Sequence, residues 1–261
     1  MTSFLARRDP TVKLAVVLAL SLLLVLVIDP ITPAIFLALG VTAALTLGGV
    51  RSQTLLRAAV PLGAVAIGFV WSNAVFAVSH EPATWTLGPL RASEAGLRFG
   101  VAIALRGLAI GVLSLTFVWT TDPTRMVVSL IRNARLPFRI GYPLLAGYRF
   151  VPYLTQELGE VRLARRVRGE PAARSPVAAL RRALGELLTL LVDAVGRAAR
   201  IAIAMDARAF ASARRRTYYR EAPVTASDLA FALVAIAAGI LILIVSATAG
   251  WLRIWDGRFA A

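Results

Sequence analysis

Apolar residues run in long unbroken stretches along most of this chain, with the polar residues gathered between them. The first stretch covers about 12–28, VKLAVVLALSLLLVLVI, and Asp29-Pro30 closes it. Others cover about 31–50, about 58–79 with Trp71, Ser72 and Asn73 inside, about 99–120, and about 229–250. Each approaches the roughly 20 residues that carry a helix across a bilayer, and a helix satisfies its own backbone in lipid. The pattern predicts five helical spans, with Trp251 and Trp255 at the depth of an aromatic belt.

The interval 122–226 is patterned differently. Thr121 or Asp122 as N-cap, with Pro123 at the first helical position, starts a helix that Pro137 ends. Over about 140–168, Leu144, Tyr148, Val151, Leu154, Leu158 and Val161 recur at helical spacing, and Pro152 is expected to kink that helix. Its first part is expected to lie along the inner membrane surface or to dip into it. Gly169 closes it as a C-terminal cap. Ser175 and Pro176 then open another helix, about 176–205. Val177, Leu180, Leu184, Leu187, Leu191 and Val195 form one face of it, and Arg181, Arg182, Glu186, Asp193 and Arg197 lie mostly on the other. Twenty-five such residues separate the two ends by roughly 37 Å. Arg168 falls just before this rod and Arg208 just after it.

Composition agrees with the pattern. Of 261 residues, 58% are hydrophobic, and the mean hydropathy is +0.74, above what a soluble domain carries. The fold class is an all-α integral membrane protein with about five transmembrane helices and a cytoplasmic or interfacial domain of long amphipathic helices. The division is 1–121, N-terminal spans; 122–226, the cytoplasmic domain of amphipathic helices; 227–261, C-terminal span. No small-residue cleavage site follows the first apolar run, which predicts a retained span and not a signal peptide.

The net charge is +15, and Lys13 is the only lysine. Segments 1–13 and 51–57 are each +2, 80–98 is neutral, and 122–226 carries nineteen arginines against eight acids. Basic segments stay on the cytoplasmic side, so the N-terminus and 122–226 are expected inside and 80–98 outside. Five spans then put the C-terminus outside, where Arg253 and Arg258 run against the rule.

Much chemistry is excluded. Without cysteine there is no disulfide and no thiolate. Lys13 has no glycine-rich approach, so the chain has no phosphate-binding loop. His80 is the single histidine, and no clustered metal-ligand set or serine with a base partner is seen. No catalytic residue, cofactor or metal is expected. The basic region is interleaved with apolar faces and not built as a nucleic-acid module. Arg106 lies inside the fourth span, where a charge costs about 2.5–3.5 kcal/mol. It either snorkels outward or pairs within the bundle. Gly63, Gly68, Gly100, Gly107 and Gly111 suit close helix packing.

Four segments in order carry a resemblance: DPTVKL leading into a span; LRFGVAIALRGLAIGVLSLTFVWTTDPTRMVVSLIRNARLP; GYRFVPYLTQELGEVRLARRVRG; and RAARIAIAMDARAF. Together they resemble the transmembrane T component (EcfT/CbiQ-like) of energy-coupling factor (ECF) transporters, over nearly the whole chain. That family carries two short Ala-Arg-Gly motifs at the ends of coupling helices. Here the first reads RVRG, keeping Arg168-Gly169 behind Val167, and the second reads ARA, keeping Ala207-Arg208 with Ala209 in place of glycine. The resemblance implies that the two arginines dock into two ABC-type ATPase subunits, alike or different. It also implies a membrane-embedded S component that binds a vitamin or a transition-metal ion, in a prokaryotic cell membrane. A planar, permanently charged guanidinium suits a polar pocket on such a partner. Arg165 and Asp206 are possible supporting residues, Asp206 pairing either locally or with the ATPase. Two other functions stay open from the residues alone: a self-contained secondary transporter or channel, and a membrane-surface anchor held by anionic lipid.

Overall fold

A computed structural model describes residues 3–76, 85–87, 90–92, 94–169, 175–210 and 223–250. His80, Trp251, Trp255 and the C-terminal side lie outside them. The chain folds into two compact units, residues 1–134 with 222–261, and residues 135–221.

The first unit is a helical bundle. A one-turn helix α1 (Phe4–Arg7) precedes α2 (Pro10–Val25), α3 (Ile31–Thr46) and α4 (Ser52–Phe76). After a short antiparallel pair, β1 (Trp85–Leu87) and β2 (Leu90–Ala92), come α5 (Glu94–Thr120), α6 (Pro123–Asn133) and, after the second unit, α9 (Ala226–Thr248). α4, residues 96–120 of α5, and α9 are long and apolar enough to cross a bilayer. α2 and α3 are as apolar but only 16 residues each, about 24 Å of helix against a hydrocarbon core of about 30 Å. The chain is an all-α integral membrane protein, and the strand pair is its one departure from helix among the described residues.

The shortness of α2 has a local cause. α2 stops at Val25, and the chain turns at once into the cap of α3, where the Thr32 backbone N–H donates to Asp29 Oδ2 at 2.7 Å. Asp29 is buried, so the turn is drawn into the bundle and not left as a longer helix in lipid. The Thr32 hydroxyl donates to Ser246 Oγ at 2.9 Å, fixing this turn against the end of α9.

The core is small, as expected where lipid and not water surrounds the bundle. Leu24, Phe36 and Ala109 are fully enclosed, with Leu20, Leu37, Ile110, Leu113 and Ile242 against them. Two glycines explain how α4 and α5 approach. A Cβ on Gly100 would stand 3.0 Å from Val70 Cα, and one on Gly111 would stand 3.0 Å from the Leu62 side chain. Gly63, Gly68 and Gly107 face open space, so only part of the small-residue pattern serves packing within this chain.

At the end of the bundle where α2 and α6 begin, polar groups are stitched together. Asp9 caps α2, accepting from the N–H groups of Thr11 and Val12 at 2.9 and 3.3 Å, with Pro10 at the first helical position. Ser129 Oγ donates to the Asp9 carboxylate, 2.8 Å from each oxygen, and Asn133 Nδ2 donates at 3.2 Å. Asp228 at the start of α9 accepts from the Asp9 backbone N–H at 3.3 Å and from the Thr225 N–H and hydroxyl, with Arg8 at 3.6 Å.

The second unit is an antiparallel helical hairpin, α7 (Phe138–Val167) and α8 (Pro176–Ala207). α7 runs on through Pro143 and Pro152.

Candidate functional site: two arginine-bearing helix ends

α8 begins where its cap residues dictate. Ser175 Oγ accepts from the Ala178 N–H at 3.2 Å, and Pro176 holds the first position without an N–H to satisfy. The helix continues for 32 residues, about 48 Å, so the rod is longer than the spacing of its apolar residues predicts.

The face that α8 turns to α7 is its charged one. Glu186 is buried and bridges two arginines: Arg162 Nε of α7 donates to Oε2 at 2.9 Å and Arg182 Nε to Oε1 at 3.2 Å. Further along, Arg197 Nη2 donates to Glu157 Oε2 at 2.9 Å, and its guanidinium lies 4.0 Å from the centre of the Tyr153 ring. The Arg165 guanidinium rests beside Gly185, where a Cβ would meet it at 3.1 Å. The apolar face points away: Leu180, Leu184, Leu187, Leu191 and Val195 are each more than half exposed. A helix in water would be expected to do the reverse, so this surface is made for lipid or another protein.

Hydrogen bonds from Arg162, then Arg182, hold the Glu186 carboxyl below the usual carboxylate range, against the opposing effect of its burial. A depressed folded-state value stabilises the pair above the unfolded carboxylate pKa of about 4.3, and that contribution is lost as pH falls through the folded value. Thermal melts of the detergent-solubilised chain should show stability falling on the acid side of about pH 4. Glu186→Gln should be less stable at neutral pH and should flatten this acid limb; an unchanged limb refutes the assignment.

Both arginine motifs end their helices in the same way. Arg168 is the C-cap of α7, its N–H bonded to Ala164 O at 3.1 Å, and Gly169 follows at φ +79° with its N–H on Arg166 O. Ala207 is the last residue of α8 and Arg208 is its C-cap. Ala209 follows at φ +54°, donating to Asp206 O at 2.9 Å, and the Phe210 N–H closes the turn on Met205 O at 3.0 Å. The second end is thus a Schellman turn with alanine at the position glycine favours. Phe210 packs edge-on against Phe138 and Tyr142, ring centres 5.6 and 6.0 Å away, and fixes the end of α8 beside the start of α7.

The structure keeps Arg168 and Arg208 apart, one near each end of α8. Both side chains are exposed, and neither has a hydrogen-bond or ion-pair partner among the described residues. Asp206 is also exposed and makes no ion pair among them. A non-glycine residue in the left-handed region costs about 1–2 kcal/mol, partly offset by the greater unfolded-state freedom of glycine. Ala209→Gly should therefore stabilise the chain by about 0.5–1 kcal/mol, read as a higher midpoint in the same melts.

Arg106 has an acceptor within the bundle. Its Nη1 donates to Val25 O at 3.0 Å, satisfying a carbonyl left over at the end of α2. It pairs within the bundle. The Asp9, Ser129 and Asp228 cluster was not anticipated, although Asp9-Pro10 repeats the Asp122-Pro123 cap signal, and Thr225 with Asp228 has capping-box spacing.

Comparison with known proteins agrees with this architecture. A family model described as CbiQ, cobalt transport protein, matches residues 1–219. The chain belongs to the CbiQ family, the transmembrane components of energy-coupling factor transporters. It is 29% identical over 237 residues to the energy-coupling factor transporter transmembrane protein EcfT of Thermosediminibacter oceani, covering 87% of this chain and 88% of that one. It is 25% identical over 235 residues to the EcfT of Bacillus subtilis, with the same two coverages. A putative ABC transporter ATP-binding protein of Bifidobacterium longum is 27% identical over 240 residues; the match takes in 88% of this chain but only 30% of that longer protein. The CbiQ match takes in all of α7 and α8, so both arginine-bearing ends lie within the family's shared region.

Proposed function

We propose that this chain is the non-catalytic membrane scaffold of an ECF-type ABC importer, coupling two cytoplasmic ATPase subunits to a membrane-embedded substrate-binding S component. The observation that carries the proposal is the pair of matching helix ends. Each presents an exposed arginine from a C-cap followed by a left-handed residue, separated by the 32-residue length of α8. Two like docking points on one rod suit two like, or homologous, partners. The guanidinium supplies five donors in a fixed fork for carbonyl or carboxylate groups on each. The positive-inside bias supports a cytoplasmic position for this unit and the N-terminus, the side where ATP is. The exposed leucine face of α8 is the surface left for the S component, whose own apolar helices would cover it. The Bifidobacterium relative, named as an ATP-binding protein and containing a stretch like this chain, supports the association with an ATPase. The cargo, a vitamin or transition-metal ion, would be read by the S component.

The test is affinity purification of the tagged chain in mild detergent, with mass spectrometry of what accompanies it. Two ATP-binding subunits (or one in two copies) and a small hydrophobic subunit are expected, and the chain alone should hydrolyse no ATP. Recovery of a lone chain that moves a solute in vesicles overturns the proposal in favour of a self-contained transporter.

A further inference from the structure

The polar cluster around Asp9 joins parts of the chain far apart in sequence. α6 is held along its whole length. Lys13 Nζ donates to Thr120 O at 2.9 Å, just ahead of it. Arg125 Nη1 donates to Ala6 O at 3.0 Å near its start. The Thr11 and Ser129 hydroxyls meet at 2.6 Å in its middle, and Asn133 reaches Asp9 at its end. Ser129 is fully buried and Asp9 nearly so, so water does not compete for these bonds. Through Asp228 the same cluster takes in α9. Four residues then separate α6 from the next helix, outside regular structure. Ala134 caps α6, Arg135 is left-handed at φ +55°, and Pro137 caps α7. The boundary between the two compact units falls at 134/135.

We propose that Asp9, Ser129 and Asp228 are positioning residues. They make α6 a fixed part of the membrane unit, so that motion of the coupling unit enters the chain at 134–137 and not at 121–123. Buried, multiply bonded contacts resist displacement, whereas a short non-helical connector absorbs backbone rotation. The lever would then begin at α7. The source of the motion, ATP binding to partner subunits, rests on the proposed function; the anchoring of α6 does not.

The chain contains no cysteine, so paired spin labels can be placed without background. Label pairs at Leu22→Cys with Arg132→Cys, and at Arg132→Cys with Gln156→Cys, would be measured in the purified complex without nucleotide and with ATP trapped. The first distance should stay within the width of its distribution, and the second should shift by more than that width. A first distance that shifts with nucleotide, or a second that does not, overturns the proposal. Asp9→Asn should broaden the first distribution, also in the isolated chain. That measurement needs no ATPase, so it still decides the anchor if no partner copurifies, an outcome that counts against the proposed function alone. An unchanged distribution in Asp9→Asn overturns the anchor.

Discussion

Arg168→Glu combined with Arg208→Glu is expected to abolish recovery of the ATPase subunits while leaving the chain in the membrane. The fold has little to lose at either position. Both side chains are exposed and without a partner among the described residues, and the cap bonds there are made by backbone groups. Placing an anion at a helix C-terminus costs about 0.3–1 kcal/mol through the helix dipole, which a folded bundle tolerates. At the proposed docking points, the substitution would remove a charge desolvated by the partner and insert its opposite. Truncating one member of such a pair costs about 2–5 kcal/mol, a factor of roughly 30 to several thousand in affinity, and reversal adds repulsion. Each single variant should keep one docking point and recover the ATPases in reduced amount; the double variant should recover none. Pull-down yields and the membrane-fraction content of each variant check this. Normal ATPase recovery with the double variant would show that the two arginines are only solvated surface.

Asp9→Ala should be the most destabilising single substitution in the described membrane unit, by about 3–5 kcal/mol. The carboxylate accepts from Ser129, Asn133 and two backbone N–H groups, and almost none of it meets solvent. Alanine leaves the first turn of α2 without its cap acceptor and Ser129 with only the Thr11 hydroxyl to donate to, in a place water does not reach. Hydrogen bonds to charged groups contribute about 1.5–3 kcal/mol each and are not additive, which sets the range. Ser129→Ala removes one donor and leaves the carboxylate its other partners, so its loss should be about 1–2 kcal/mol. Unfolding midpoints of both variants in detergent check the order, and a smaller effect for Asp9→Ala than for Ser129→Ala contradicts the cluster as described.

Much of the helix layout was legible because its signals are local. Asp122-Pro123 and Ser175-Pro176 begin helices where cap chemistry requires, and the apolar runs fall on helices of the bundle. The arginine motifs were legible for another reason: short motifs survive as letters even when one letter changes. That Ala209 would adopt the left-handed conformation of the glycine it replaces could not be read from its side chain, which disfavours that conformation; the turn closed by Phe210 holds it there. α2 and α3 end at Val25 and Thr46, short of their apolar runs, because hydropathy tells which residues suit lipid and not where the backbone leaves the helix.

The sequence by itself determined what depends on neighbours within about four residues: membrane character, capped helix starts, charge bias and the two arginine-glycine-like ends. Tertiary structure alone decided which face of α8 turns inward, what Arg106 bonds to, and that Asp9 meets Ser129, 120 positions away, and Asp228, 219 away. A periodic pattern tells which residues share a face but not which face finds a partner. The pairs of Glu186 in α8 with Arg162 in α7, and of Arg197 in α8 with Glu157 in α7, hold the charged face against α7. The leucine face was left exposed.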